Sequence, residues 1–310
     1  IFGKAIQYVS HIEDAKAQAA AVIAANPDLD GYLAVNAAGP IGQCSAVEEA
    51  GKVGEIKVVG LENLIEMLQY IRQGVHLNFK IMGILHAGTW DENDFLSRKG
   101  MTCWAEYIEN GWFRFIDKIF VATEYHKRLL LSKRILNADQ VVVTGLPIYP
   151  DEFVKDVKKE NIIIFPHRLD PEKQPQLFDR LAVMLRFDYP NWKFVKTKEV
   201  CKNKKEYYDL LNKAKIAVSF AKQETFGIAM LESLFCGCIP VVPDRLSYSE
   251  LFANNIFLRH DDADVISFVE KLLSNSDTFY IASEQAKVHA RDFAKPYCES
   301  AISKMLEVMK

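Results

Sequence analysis

Two cationic side chains, Arg168 and Lys173, sit five residues apart in the stretch PHRLDPEKQPQLF. It follows an apolar run, Asn161–Pro166, that reads as a strand. In an open α/β sheet the loop after a strand lies at the carboxyl edge, where ligands bind. Arginine offers a two-pronged fork to phosphate oxygens and lysine a point charge. Both cations beside a helix start suit a diphosphate. The plainer alternative is a solvated loop in which Arg168 pairs with Asp170 or Glu172.

A second stretch, KQETFGIAMLESLFCGCIPVVP, places Glu224 and Glu232 eight residues apart. Thr225, Phe226 and Gly227 open a helix that runs on through Ile228 to Glu232. Gly227 allows a ligand close to the backbone, and the N–H groups of the first turn point at an anion. Glu224 precedes the helix, where a bound sugar would lie. Glu232 stands among apolar neighbours, and a carboxylate there requires a partner, for which ribose hydroxyls qualify. A capping Glu224 and a Glu232 bridged to a lysine are the structural alternatives.

Two earlier strand ends carry polar groups. IMGILHAGTWDENDF presents His86, Gly88, Thr89 and Asp91, and FVATEYHKRLL presents Thr123, Glu124 and His126. Both belong at the carboxyl edge of a parallel sheet. A backbone contact for His86 and helix capping by Thr123 would account for them without function.

The elements that must hold these residues alternate along the chain. Strand-like runs occur at Gly31–Asn36, Ile56–Gly60, Phe79–Leu85, Lys118–Thr123 and Gln140–Gly145. A second set follows at Asn161–Pro166, Trp192–Thr197, Lys215–Phe220, Ile239–Pro243 and Asn255–Arg259. Short continuous apolar runs suit strands covered on both faces. Amphipathic stripes such as Leu61, Leu64, Ile65, Leu68 and Ile71, or Leu177, Leu181, Met184 and Leu185, lie between them. Strand–helix–strand alternation predicts right-handed crossovers and parallel sheets. The charged, proline-bearing segment Pro147–Glu160 separates the two sets as a linker. The expectation is an α/β protein of two Rossmann-like domains: residues 1–150, a linker at 151–160, a second domain at 161–295, and a closing helix at 296–310 with an Ile302, Met305, Leu306, Met309 stripe.

Composition narrows the classes. The 310 residues are 49% hydrophobic and 25% charged, with 38 basic against 41 acidic side chains, which excludes a disordered chain and a global pull toward nucleic acid or anionic lipid. The cluster Lys196, Lys198, Lys202, Lys204 and Lys205 could meet phosphates of a nucleic-acid acceptor, but reads better as a solvated loop. Trp104, Trp112 and Phe113 fall at helical spacing and are expected in the core. Cys236 and Cys238 have no partner pair and so are not a zinc pattern, and the six cysteines read as free thiols in a reducing cytoplasm. No apolar run reaches membrane-span length, and Ile1–Ser10 lacks a leader pattern. Ile rather than Met at position 1 reads as processing, truncation or engineering.

Taken together, Arg168 and Lys173, then Glu224 and Glu232 ahead of CGCIPVVP, resemble the donor half of retaining GT-B glycosyltransferases. That large family, of the family-four type, includes sucrose and glycogen synthases. The PHR…K and FG-AMLE…CGC-P segments are similar to those of the tRNA-queuosine mannosyltransferase group. The resemblance spans about Leu61–Lys310 and is strongest over Asn161–Phe252. It implies two parallel-sheet domains facing a cleft and transfer of a sugar from a UDP or GDP sugar with retention. It implies Arg168 and Lys173 on the diphosphate in place of a metal, Glu232 on the ribose, and Glu224 on sugar hydroxyls. Thr225, Phe226, Gly227 and Ile228 would line the donor site. His86 would lie beside the transferred sugar, and Gly88, Thr89, Asp91, Thr123 and His126 would line the cleft on the acceptor side. The acceptor, whether nucleic-acid base, carbohydrate or small molecule, is not specified. Residues 12–60 instead resemble a piece of a periplasmic sugar-binding protein, which suggests a chimera. An acceptor loop missing or replaced there opens a second reading, a nucleotide-binding scaffold without turnover.

Overall fold

The computed structural model describes residues 12–34, 38–60 and 81–309. The expected helix around Leu61–Ile71 lies outside the described residues, as do Asn36 and the first residues of the Phe79–Leu85 run. Two compact units emerge. One comprises the described residues up to Leu85, with Trp104–Phe120 and Arg134–Val142; the other comprises His86–Cys103, Val121–Lys133 and everything from Val143 onward.

The first unit begins with helix Ile12–Ala25, strand β1 (Gly31–Ala34), helix Ala38–Glu49 and strand β2 (Lys57–Gly60). β1 and β2 pair in parallel, with Gly31 opposite Lys57. The alanine-rich first helix carries Glu13 and Asp14 in its opening turn, which complement the helix dipole. Its buried face, Ala19 and Ile23, packs with Tyr32, Ala46, Val47 and Ile56. A Cβ at Gly42 would fall 2.5 Å from the Lys16 backbone nitrogen, so glycine sets the close approach of the two helices.

Strands β3 (Met82–Ile84), β4 (Lys118–Val121) and β5 (Val141–Val143) form a sheet in that order, with β3 and β4 parallel. Helix Thr102–Phe113 buries Ala105 and Phe113, which leaves Trp104 on the outside and Trp112 half-buried. The expectation of Trp104 in the core therefore fails, because the small Ala105 and not the indole takes the inward position. The Gln140 amide donates to the Phe113 and Ile116 carbonyls at the end of this helix, closing acceptors that lack intrahelical partners.

The second unit is built on five strands: β6 (Ile162–Phe165), β7 (Lys193–Lys196), β8 (Ile216–Val218), β9 (Ile239–Pro243) and β10 (Leu258–Arg259). Their order is β10-β9-β8-β6-β7, and every neighbouring pair is parallel. The side chains of β6, β8 and β9 are almost wholly buried, as their continuous apolar runs predict. From β6 the chain crosses to β7 on one side and then returns to β8 on the other. The order reverses between β6 and β8, so the loops leaving their carboxyl ends part at that point and open a crevice.

Two findings refine the sequence reading. The Pro147–Glu160 segment is seated on the second unit: Phe153 is buried and stacks on Tyr208 at 4.4 Å. Buried Asn212 donates to the Phe153 carbonyl (2.8 Å) and accepts the Lys155 N–H (2.9 Å). Lys159 donates to the Ala214 and Cys236 carbonyls, which close two helices. Finally, helix Lys295–Met309 buries Cys298, Ala301 and Met305, while Leu306 is exposed; the buried face is rotated from the expected stripe because small residues line the contact.

Asn212→Leu removes the bonds to the Phe153 carbonyl and the Lys155 N–H, and a third to the Tyr208 carbonyl, at about 1–3 kcal/mol for each buried group left unpaired. Limited proteolysis is expected to cut this variant within residues 150–158 faster than the wild type, with a lower urea midpoint.

Candidate functional site

The loops after β6 and β8 carry Arg168, Lys173 and Glu224 to the point where the strand order reverses. After β6 the chain passes His167 and Arg168, makes a tight turn at Pro171–Lys173, and enters helix Pro175–Arg186. Gln174, just before that helix, is left-handed at φ 55°, a conformation costly for a residue with a side chain. Its amide donates to the Phe220 carbonyl at 2.6 Å, and the Lys222 N–H donates to the Glu172 carbonyl at 2.7 Å. These bonds lock the β6 loop to the β8 loop.

The lock presents Lys173 to Glu224 at 3.1 Å, with only 6% and 17% of their side chains exposed. The Lys173 ammonium also donates to the Gln223 carbonyl. Burial alone would raise the Glu224 pKa; the Lys173 charge, a hydrogen bond from Lys173 and the Gly227 N–H hold it below its ordinary value. Glu224 therefore lies at the start of helix Ile228–Phe235, where backbone N–H groups favour negative charge. Gly227 is required twice over: its φ is +80°, and a Cβ there would lie 2.8 Å from the Tyr248 ring. Phe226 is buried beside Tyr297, and Ile228 is exposed.

Arg168 is placed differently from Lys173. Its side chain is 62% exposed and pairs with both Asp170 (3.3 Å) and Glu172 (3.1 Å). Glu172, only 2% exposed, also binds Arg98 at 2.7 Å. A single buried carboxylate thus holds two guanidinium groups beside Lys173. Arg98, Glu172, Gln223 and His167 are site components that the sequence reading did not assign. His167 lies in the PHR motif, and in sequence Glu172 reads only as a partner for Arg168; Arg98 has no local signal.

Glu232 is buried, and both its oxygens accept from tyrosines, Tyr207 at 3.0 Å and Tyr208 at 2.7 Å. A carboxylate has about four acceptor positions, so these bonds leave capacity for a ligand. The lysine-rich stretch is a surface: Lys196 pairs with Asp179 and Glu199, and Lys198, Lys202, Lys204 and Lys205 are exposed.

The segments after β3 and β4 join the same unit. The Thr225 hydroxyl donates to the His86 carbonyl (2.7 Å), and the Thr123 hydroxyl donates to the Thr225 carbonyl (2.8 Å). Thr123 Oγ1 also accepts the His126 N–H, which caps helix Glu124–Lys133. The Glu250 carboxylate accepts the Glu124 and Tyr125 N–H groups at the same helix start. The His86 side chain is exposed, and partial desolvation lowers its pKa. Thr89 and Asp91 are buried. A Cβ at Gly88 would fall on the Trp90 ring, so glycine is needed for that indole to fold back.

Two buried histidines stay neutral. Burial pushes His126 down to about 4, with His86 adding repulsion. It pushes His167 down to about 3, with Lys173 opposing protonation further. Among the described residues, no group of three or more His, Cys, Asp or Glu side chains is placed to hold a metal ion, and no helix is long and apolar enough to cross a membrane.

With this geometry in hand, similarity to known proteins falls into three parts. Residues 4–77 match the periplasmic binding protein domain family. Over 49 residues the chain is 45% identical to the tRNA-queuosine alpha-mannosyltransferase of Drosophila melanogaster, which is 16% of this chain and 13% of that protein. Among solved structures it superposes on S. aureus TarM in complex with UDP with a TM-score of 0.64 at 15% identity, covering 88% of this chain and 59% of TarM. Sucrose-phosphate synthase from Thermosynechococcus elongatus gives 0.63 at 12% identity, covering 87% and 77%. Anabaena HepE in complex with UDP and glucose gives 0.58 at 12% identity, covering 90% and 99%. The chain thus spans a small part of the fly enzyme and under two thirds of TarM. These likenesses define the fold class, the parallel α/β architecture of the GT-B glycosyltransferases.

Two outcomes follow for stability. Removing one member of a buried ion pair strands the other, at about 3–5 kcal/mol. Lys173→Met and Glu224→Gln are each expected to destabilise, and the double variant less than their sum in urea unfolding. The histidines give a pH window. Their folded pKa values lie below the ordinary 6.5, so their stabilisation is complete above that pH and is lost as pH falls toward about 4 for His126 and about 3 for His167. Each contributes a slope of about 1 kcal/mol per pH unit in that window. His167→Phe is expected to flatten the acid limb of a plot of urea midpoint against pH.

Proposed function

We propose that the chain is a glycosyltransferase that moves a sugar from a nucleotide-diphosphate sugar to an acceptor with retention of configuration. The observation that carries this reading is the buried Lys173–Glu224 pair at the start of helix Ile228–Phe235. The pair occupies the crevice between β6 and β8, where a parallel sheet binds ligands. The solved relatives with UDP support a nucleotide-sugar donor, and the short likeness to the mannosyltransferase supports the donor half.

In this reading the anomeric carbon–oxygen bond to the diphosphate breaks as the acceptor bonds to that carbon. The acceptor's proton leaves with the diphosphate. Lys173 and Arg168 face the charge that develops on the leaving group, so no metal is needed to neutralise it. Glu224 binds sugar hydroxyls, Glu232 the ribose, and His86 lies beside the transferred sugar. Thr225, Phe226, Gly227 and Ile228 line the donor, and Gly88, Thr89, Asp91, Thr123 and His126 line the cleft on the acceptor side. The second domain begins near residue 161 in this scheme. The six free thiols suit a reducing cytoplasm.

One observation favours a second reading. The match of residues 4–77 to a binding-protein family stands where the acceptor-side opening would be, which fits a chimera that binds nucleotide without turnover.

Lys173→Ala and Glu224→Ala are expected to lower transfer or slow donor hydrolysis by about 100-fold or more. Calorimetry with UDP-glucose and GDP-mannose checks the reading directly. Binding without product would favour the scaffold, and no binding of any UDP or GDP sugar would end the proposal.

A further inference from the structure

The buried carboxylate of Glu172 divides its two oxygens between two guanidinium groups. Oε2 accepts from Arg98 Nη2 at 2.7 Å, and Oε1 accepts from Arg168 Nη2 at 3.1 Å. All three side chains belong to the second unit. Arg98 reaches this place from a fixed turn. Asp94 caps the short helix Phe95–Arg98 by accepting the Leu96 N–H at 2.9 Å, and the Ser97 hydroxyl donates to the Thr89 carbonyl at 3.2 Å. The carboxylate is fixed as well, because the Glu172 carbonyl accepts the Lys222 N–H at 2.7 Å.

Exposure separates the three groups. The Glu172 side chain is 2% exposed, that of Arg98 31% and that of Arg168 62%. Water therefore cannot replace a lost partner of Glu172, and a buried carboxylate short of donors is strongly unfavourable. Arg168 is the cation free to move in. With Oε2 released, its fork fits both carboxylate oxygens at once, the preferred geometry of such a pair. As the protein stands, Arg168 gives Glu172 one prong. Its other contact, Nε to Asp170 at 3.3 Å, joins two well-solvated groups and holds it weakly. Neither contact uses Nη1. The charges agree with this picture: Arg98, Arg168 and Lys173 balance Asp170, Glu172 and Glu224. Without Arg98 one negative charge is in excess, and it opposes an incoming anion.

We infer that Arg98 is a positioning residue for the leaving group: by occupying one oxygen of Glu172 it keeps the Arg168 guanidinium turned outward, with its charge uncancelled, to meet a diphosphate. Arg98 acts through Glu172 rather than on the substrate. The inference rests on the nucleotide-sugar reading and deepens it, because it adds to the donor machinery a residue 70 positions before Arg168 in the chain.

The test measures affinity for UDP, GDP and inorganic pyrophosphate by calorimetry in the wild type, Arg98→Gln, Arg98→Lys, and Arg98→Gln combined with Glu172→Gln. Arg98→Gln alters a partly exposed side chain and is expected to weaken diphosphate binding about tenfold. Arg98→Lys keeps the charge and one bond to Oε2, and is expected to stay within about threefold of the wild type. The double variant removes the carboxylate that would capture Arg168, so it is expected to regain most of the loss. A residue that merely braced the turn, or bound the diphosphate itself, would show no such recovery. Unchanged affinity in Arg98→Gln, equal loss in Arg98→Gln and Arg98→Lys, or a double variant no tighter than Arg98→Gln overturns the inference and leaves the proposed function standing. Should the double variant not fold, Arg98→Gln against Arg98→Lys decides. If pyrophosphate binds but UDP and GDP do not, the nucleotide-sugar reading fails and the same comparison on pyrophosphate settles the role of Arg98. Absence of binding for all three overturns both.

Discussion

The Lys173–Glu224 contact is the constraint on which the second unit turns. Two opposite charges lie mostly out of water, and each is tolerable only because the other is held at 3.1 Å. Holding them requires a left-handed Gln174, a left-handed Gly227 and two bonds between the β6 and β8 loops. It also requires Tyr248, buried against Gly227 and bonded to Ser219 at 2.9 Å. These features are separated in sequence, yet each bears on the same few ångströms. A sheet whose order reverses between β6 and β8 supplies the only framework they need.

A second layer of polar contacts surrounds the pair. Glu172 gathers Arg98 and Arg168, so the exposed guanidinium is anchored by a buried carboxylate rather than left to roam. Glu232 is gathered by two phenols, whose own ionisation is suppressed by burial and by the carboxylate they serve. Charge is therefore confined to defined atoms, and the surrounding groups remain neutral. His167 and His126 follow the same rule at neutral pH.

Much of this was legible in the residues themselves. The continuous apolar runs located β6, β8 and β9 because strands covered on both faces have no polar alternation to disguise them. Motif spacing located Lys173, Glu224 and Gly227 because a strand-to-helix loop permits few arrangements. Arg98 and Glu250 stayed invisible, since their partners lie 74 and 126 residues away and no local pattern encodes such a meeting. Trp104 misled because helical period gives a stripe but not its direction, and Ala105 claimed the interior. The prolines and charges of the 147–160 segment read as an interdomain linker, and the contacts of Phe153 and Lys159 with the second unit have no local signature.

Thr225 has a consequence for anyone who would redesign this protein. Its hydroxyl and its carbonyl engage two stretches that lie 139 and 102 residues earlier. Grafting a foreign loop at Thr225 would sever the hydroxyl bond to the His86 carbonyl, and a graft at Thr123 would sever the other. A redesign of this region must therefore transplant all three stretches as one cassette, although the gene holds them far apart.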